Sequence, residues 1–347
     1  MWREKGVFER KYYKITTHVT WIALFGCAVL GENIPASLVQ TLKKQKYHLI
    51  GNHSAVKRCK WLYESIVNGR VCYKEKFYGI KSHRCIQMSP SLYYCTQHCL
   101  FCWRAQSGDL QVTWDEMKMP KLNTPEEIVA GSFKAQEKIL TGYKGNPKTD
   151  LRKLSEAHMP KQVAISLTGE PTLYPDIGEL IRTYRQKGLT TFLVTNGTLP
   201  RKLSQLSHEP TQLYISVCAP NEQVYNKVCR PLMLNGWANL NESLAFMPSF
   251  KCRTALRMTL VKGHNMSQIE DYAKLVEKAN PTFVEVKAYM HIGFSNLRLG
   301  FEDMPQLPEV RAFAERLAEK TGYTVVDESA DSRVVLLSRQ DNNSRQL

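Results

Sequence analysis

The sequence predicts an α/β fold: a partial TIM-like (β/α)6 barrel of parallel strands, with an N-terminal cluster-binding extension. Three observations predict it. From residue 162 onward, apolar β-branched runs alternate with helical patterns. The helical patterns are ten to fifteen residues long, the spacing of βαβ units and a parallel sheet. The third observation concerns loops. Cys95-Thr-Gln-His-Cys99-Leu-Phe-Cys102, the Gly169-Glu170 turn and the Asn196-Gly197 turn each follow a predicted strand. In (β/α) barrels such loops share the C-terminal face, where function gathers.

The elements read in order as follows. IPASLVQTLKKQKY, from Ile34, is an amphipathic helix. A strand falls near 87–94, just before the cysteine loop. A polar stretch at 104–125 leads to a helix at 125–141. The loop YKGNPKTD carries turn residues, and a short helix follows at 149–157. Strands are expected at 162–167, 190–195, 212–218, 254–261, 282–288 and 333–338, with helices at 175–187, 200–207, 237–247, 267–279 and 307–321. The expected organisation is an irregular extension over 1–33 and one domain over 34–340, which includes a cluster-binding segment at 55–104.

The apolar run VTWIALFGCAVL at 19–30 lies in that extension. It is shorter than the ~20 residues needed to span a bilayer. It resembles the apolar stretch of a signal peptide. Export is discounted, because the cysteine usage of the chain fits a reducing compartment. A cytoplasmic monomer with no membrane association is expected.

A hydrophobic content of 43% over 347 residues supplies a large core. The net charge of +15 points to a polyanionic partner, most simply nucleic acid, whose phosphates pair with Lys and Arg. Candidate contacts are Trp103-Arg104, Tyr143 to Lys148, HIGFSNLR at 291–298, RCKWLY at 58–63 and the lysines within 42–46.

Six of the ten cysteines fall within 44 residues, as two triplets. Cys59, Cys72 and Cys85 are thirteen residues apart, and Cys95, Cys99 and Cys102 form C-x3-C-x2-C. Cys27, Cys218, Cys229 and Cys252 are scattered. Clustered cysteines in a chain this long indicate metal ligands in a reducing compartment, not disulfides. Three thiolates hold three corners of a [4Fe–4S] cluster and leave one iron open to a substrate or cofactor. Two triplets thus suggest two reactive clusters. The alternatives are a zinc site that takes His98 as its fourth ligand and, for the widely spaced triplet, unrelated buried cysteines.

C-x3-C-x2-C with Phe101 before the last cysteine resembles the radical S-adenosylmethionine enzymes. That resemblance implies S-adenosylmethionine on the open iron of the Cys95, Cys99 and Cys102 cluster. It also implies Gly169 and Glu170 at the cofactor's ammonium, with Asn196 and Ser216 at its ribose and carboxylate. Thr168 stands where relatives have a first glycine. A narrower resemblance covers Ile34 to near the C-terminus. The cysteine spacings, HSAVK before Cys59, FCWR at 101–104 and YKGNP at 143–147 are similar to the archaeal 4-demethylwyosine synthase family.

That resemblance implies condensation of pyruvate carbons with N1-methylguanosine at position 37 of tRNA-Phe. An adenosyl radical abstracts hydrogen from the N1-methyl group, and the methylene radical attacks pyruvate. It implies a second [4Fe–4S] cluster on Cys59, Cys72 and Cys85 that chelates pyruvate, with Lys74 as a Schiff-base residue. It implies an electron donor such as a ferredoxin or flavodoxin. Otherwise Lys74 is one solvated lysine among several. Two other readings stand beside this one: a radical enzyme acting on another protein or small molecule, and a non-catalytic zinc-bearing RNA-binding protein.

Overall fold

The computed structural model describes residues 34–339 and 345–347; the expected extension over 1–33, with Cys27 and the apolar run, lies outside the described residues. Ten strands join in one sheet: β1 (Tyr47–Ile50), β2 (Ser54–Lys57), β3 (Cys85–Ser89), β4 (Gln162–Ile165), β5 (Thr190–Thr195), β6 (Gln212–Ser216), β7 (Arg253–Leu260), β8 (Phe283–Ala288), β9 (Thr324–Ser329) and β10 (Val334–Ser338). β3 to β8 pair in parallel in chain order. β1 and β2 extend one edge antiparallel, and the β9–β10 hairpin extends the other.

The strand expected at 333–338 therefore exists but runs against its neighbour. A turn over Ala330–Ser332 joins it to β9, and parallel pairing needs a crossover of a dozen residues or more. The β1–β2 hairpin was not expected. The strand before the cysteine loop is shorter than predicted, ending at Ser89. Beyond it, Leu92 donates to the His53 carbonyl at 2.8 Å, outside the ladder.

Side chains alternate across the central strands with period two. Val163, Ile165, Leu193, Leu213, Ile215, Leu256, Met258, Val284 and Val286 pack under the long helices. Phe192, Tyr214, Ala255 and Phe283 face the other way, onto Tyr73, Phe77 and Tyr78 of the short helix Tyr73–Tyr78. The helices Ile177–Gln186, Gly236–Phe246, Ile269–Ala279 and Leu307–Thr321 fall within a few residues of their expected ranges. Pro125–Leu140 is started by Thr124 and Glu127, each side chain bonding the other's backbone N–H, an arrangement that satisfies two orphan donors at once. Among the described residues no helix is long and apolar enough to cross a membrane.

Candidate active site

The C-x3-C-x2-C loop leaves the C-terminal end of β3. It contains no regular element, so distant backbone satisfies its amides. Cys95 donates to the Glu116 carbonyl at 3.0 Å, His98 to that of Arg230 at 3.0 Å and Leu100 to that of Val228 at 2.9 Å. Glu116, 3% exposed, braces the loop from beneath. Its carboxylate meets the buried Arg104 guanidinium at 2.6 Å and His98 Nε2 at 3.0 Å. Arg104 Nη2 donates to the Gln97 carbonyl at 3.2 Å. Breaking a buried ion pair strands its partner at ~3–5 kcal/mol. Glu116→Ala is accordingly expected to lower unfolding free energy by about that amount in urea titrations. A loss below ~1 kcal/mol would show that the pair is not the loop's anchor.

His98 is thus engaged away from the cysteines. Among the described residues, no three His, Cys, Asp or Glu side chains converge as ligands of a single metal ion. The zinc alternative loses its fourth ligand.

Gly169 backs directly onto this loop. Its φ is +71°, and a Cβ there would lie 1.9 Å from the Ser91 carbonyl oxygen and 2.5 Å from that of Tyr94. Glu170, 1% exposed, donates its N–H to the Tyr94 carbonyl at 2.8 Å. Its Oε1 accepts from Thr172 N, Thr172 Oγ1 and Thr195 Oγ1 at 3.0, 2.6 and 2.6 Å. Oε2 accepts from Asn196 N at 2.7 Å. Burial raises the Glu170 pKa, and these donors oppose the shift. Asn196 ties the turn to the loop: its Nδ2 lies 2.8 Å from Thr96 Oγ1 and 3.9 Å from Cys95 Sγ. A cavity of about 350 Å³ opens here. Phe101, Gly169, Glu170, Asn196 and Ser216 line it together with Cys95, Cys99 and Cys102.

Chain folding also brings the first triplet together. Cys59 caps the helix Lys60–Val67, Cys72 caps Tyr73–Tyr78, and Cys85 opens β3. Burial pushes the Cys72 thiol up to about 12, and the nearby Cys59 adds to the shift. Cys85 is raised too, by burial first and then by Cys59. The two triplets therefore flank β3, one at its start and one beyond its end. Three enclosed thiols in mutual electrostatic reach, drawn from three elements at one end and from a single loop at the other, suit a thiophilic cluster at each.

Lys74 is buried. Its Nζ stands 4.6 Å from the Phe192 ring centroid and 4.9 Å from that of Tyr214. Its pKa is lowered to about 8, first by burial and then by Arg257. Lys76 and Lys81 behave differently: each is exposed, and they pair with Asp327 at 2.9 Å and Glu75 at 3.7 Å.

Several residues here were not singled out by sequence. Arg257, Glu285 and Lys287 lie on the inner face of β7 and β8, and Arg257 and Lys287 line the cavity. The available signal was a charge inside an apolar strand, in TALRMTLV and TFVEVKA. Cys218 and Cys229 also line the cavity. The Cys99 thiol is raised well above its ordinary value, first by its hydrogen bond with Cys229. Three expected nucleic-acid contacts are corrected. Arg104 and Tyr143 are buried, and Arg298, its side chain 8% exposed, pairs with Asp109 at 2.8 Å.

A family model described as "Radical SAM superfamily" matches residues 90–276, and one for "Wyosine base formation" matches 278–339. The S-adenosyl-L-methionine-dependent tRNA 4-demethylwyosine synthase of Pyrococcus abyssi is 48% identical over 317 residues, 89% of this chain and 90% of that protein. The chain belongs to the tRNA 4-demethylwyosine synthase family. The Methanocaldococcus jannaschii member is 40% identical across 89% of this chain and 97% of its own length. A structure of TYW1 with a lysine-pyruvate adduct bound superposes with TM-score 0.79 at 40% identity, covering 90% of this chain and 98% of that one. A crystal structure of archaeal TYW1 superposes with TM-score 0.74 at 36% identity, over 90% and 100% of the two chains. The chain is thus a radical S-adenosylmethionine enzyme with an α/β fold of parallel strands, and the family carries an iron–sulfur cluster.

Proposed function

We propose that this enzyme condenses pyruvate carbons with N1-methylguanosine at position 37 of tRNA-Phe, as a carbon–carbon lyase forming 4-demethylwyosine. The observation that carries the reading is Lys74: an enclosed amine beside three thiols, behind the cavity that meets the C-x3-C-x2-C loop. Cys95, Cys99 and Cys102 hold one [4Fe–4S] cluster, and Cys59, Cys72 and Cys85 hold a second. Bound S-adenosylmethionine and its cluster supply hydrogen-abstracting radical chemistry.

The chain's own residues do the rest. Lys74, which gives up its proton more readily than a solvated lysine, attacks the pyruvate ketone as the free amine; a C=N bond forms and the ketone oxygen leaves as water. Phe192 and Tyr214 keep bulk water from that bond. Glu170 has one lone pair left on Oε2 for the cofactor's ammonium, while Phe101, Asn196 and Ser216 flank the cofactor. Gly169 lets the turn approach the loop.

The target base enters by extrusion from the anticodon loop. Lys57 Nζ, 4.2 Å from the Tyr47 ring and 5.0 Å from that of Trp103, offers a cation beside Trp103, which lines the cavity. Exposed Ile292, Leu297 and Phe301 lie on the segment following β8.

The sheet fits an incomplete (β/α)6 barrel. Consecutive parallel strands are neighbours, so right-handed crossovers place the helices on one face and leave the other for the site. Residues 34–340 form one domain, with 55–104 as its cluster-binding segment. The enzyme works as a cytoplasmic monomer supplied by an electron donor such as a ferredoxin or flavodoxin.

The test is anaerobic incubation with N1-methylguanosine-containing tRNA-Phe, S-adenosylmethionine, pyruvate and reductant, followed by nucleoside mass spectrometry. Absence of the tricyclic base sinks the assignment. Lys74→Arg keeps the charge and loses the nucleophile. Product formation is expected to fall by roughly a thousandfold or more, with no borohydride-trapped pyruvate on the chain. A trapped adduct in that variant would place the imine elsewhere.

A further inference from the structure

Glu285 is fully buried, and its carboxylate is already occupied. It accepts from Tyr78 Oη at 2.8 Å, from Tyr73 Oη at 3.3 Å, and from Arg257 Nε and Nη2 at 3.0 and 2.8 Å. Its hydrogen bonds come from Arg257 and the two tyrosines, so one buried carboxylate is shared electrostatically by three cations, Arg257, Lys74 and Lys287. Lys287 Nζ donates to the neutral Ser332 carbonyl at 2.6 Å, an acceptor that uses one of its donors. Arg257, Glu285, the Cys72 thiol and Arg333 are the charged or titratable groups in its electrostatic reach.

A chain of contacts links these cations to Lys74. Lys74 and Arg257 stand 4.9 and 4.6 Å from the Tyr214 ring. Arg257 Nη2 donates to Tyr73 Oη at 2.7 Å, and Lys287 Nζ lies 5.7 Å from the Tyr73 ring. Arg257 and Lys287 both face the cavity. Three enclosed cations around one carboxylate are costly. They are tolerated where a bound anion completes the set, and an anion with two charged donors gains strong, directional hydrogen bonds.

We infer that Arg257 and Lys287 form the seat for the carboxylate of the α-keto acid, and that Lys287 makes the enzyme select it over a neutral ketone. The inference rests on Lys74 as the imine-forming amine. Glu285 is the positioning residue, because it fixes the guanidinium plane. Seated this way, the carboxylate turns the adjacent ketone carbon toward Lys74. A neutral ketone reaches the same amine without that hold.

The experiment uses cluster-loaded protein, borohydride and intact-mass detection of the reduced adduct. Pyruvate is titrated against acetone, which has the ketone and lacks the carboxylate. In the unaltered protein, half-maximal trapping needs far less pyruvate than acetone. In Lys287→Met the half-saturating pyruvate concentration rises roughly ten- to hundredfold, the effect of losing one charge-assisted hydrogen bond, and the preference over acetone falls with it. Lys287→Arg restores most of the preference. The seat is overturned if Lys287→Met keeps the pyruvate preference. It is equally overturned if pyruvate and acetone weaken together, which marks a structural role. Absence of any adduct in the unaltered protein overturns the Lys74 reading, and the seat with it.

Discussion

Replacing Cys72 by alanine is expected to abolish the tricyclic product while S-adenosylmethionine is still cleaved. Cys72 lies at the N-terminus of the helix Tyr73–Tyr78, and its Sγ accepts from Lys74 N at 3.4 Å. The residue therefore sets both one ligand of the first triplet and the backbone that presents Lys74. On the proposed assignment, loss of one of the three thiols releases the second cluster. The C-x3-C-x2-C loop stands beyond the other end of β3, a strand of five residues, roughly 13 Å away along the strand at ~3.3 Å per residue. Its braces, Glu116, Arg104 and the Gly169-Glu170 turn, include nothing from the first triplet. Iron should fall from about eight to about four atoms per chain, with 5′-deoxyadenosine still formed. Persistence of product at the unaltered rate would remove the second cluster from the mechanism. Joint loss of both activities would mean that the two ends of β3 fold as one unit.

The second large effect is expected at Gly169. Alanine there meets two penalties. The left-handed backbone costs a residue with a Cβ ~1–2 kcal/mol, and crowding in a packed interior adds ~1–3 kcal/mol. The crowding is against backbone carbonyls of Ser91 and Tyr94, which no rotamer change relieves. Relief requires the Gly-Glu turn to move off the cysteine loop, carrying Glu170 with it. Gly188 provides the comparison: its φ is +74°, yet the nearest atom to a new Cβ is the flexible Lys161 Nζ at 3.9 Å. Gly188→Ala should lose only the backbone term. Gly169→Ala should lose about 2–5 kcal/mol in urea titrations and bind S-adenosylmethionine weakly. Equal losses in the two variants would show that packing on the loop contributes nothing.

Much of the α/β core was legible from local pattern. Runs such as TTFLVT and QLYISVC mark strands because β-branched and aromatic side chains suit a pleated, buried surface. The cysteine loop was legible because its ligands lie within eight residues. The β9–β10 hairpin misled: VVLLS reads as one more buried strand, and apolar character does not record direction. Arg104 misled in the opposite sense. Beside Trp103 it looked like a phosphate contact, but Glu116 holds it inside. The pairing spans twelve positions of irregular chain, where no periodicity announces it. Cys218 and Cys229 looked scattered because their approach to Cys99 is made by β6 and the short helix Glu222–Val228 that follows it, not by spacing.

By itself the sequence determined the alternating α/β core, the C-x3-C-x2-C loop and a basic chain suited to a polyanion, since each depends on near neighbours or on composition. Only the tertiary structure decided that Cys59, Cys72 and Cys85 meet, that Lys74 is enclosed while Lys76 and Lys81 are solvated, and that Arg257 and Lys287 face inward around the one carboxylate of Glu285. Those outcomes depend on strand register and on which face a short helix covers. Both are settled by packing between residues more than two hundred positions apart, as in the contacts of Tyr73 and Tyr78 with Glu285, and local pattern carries no record of such contacts.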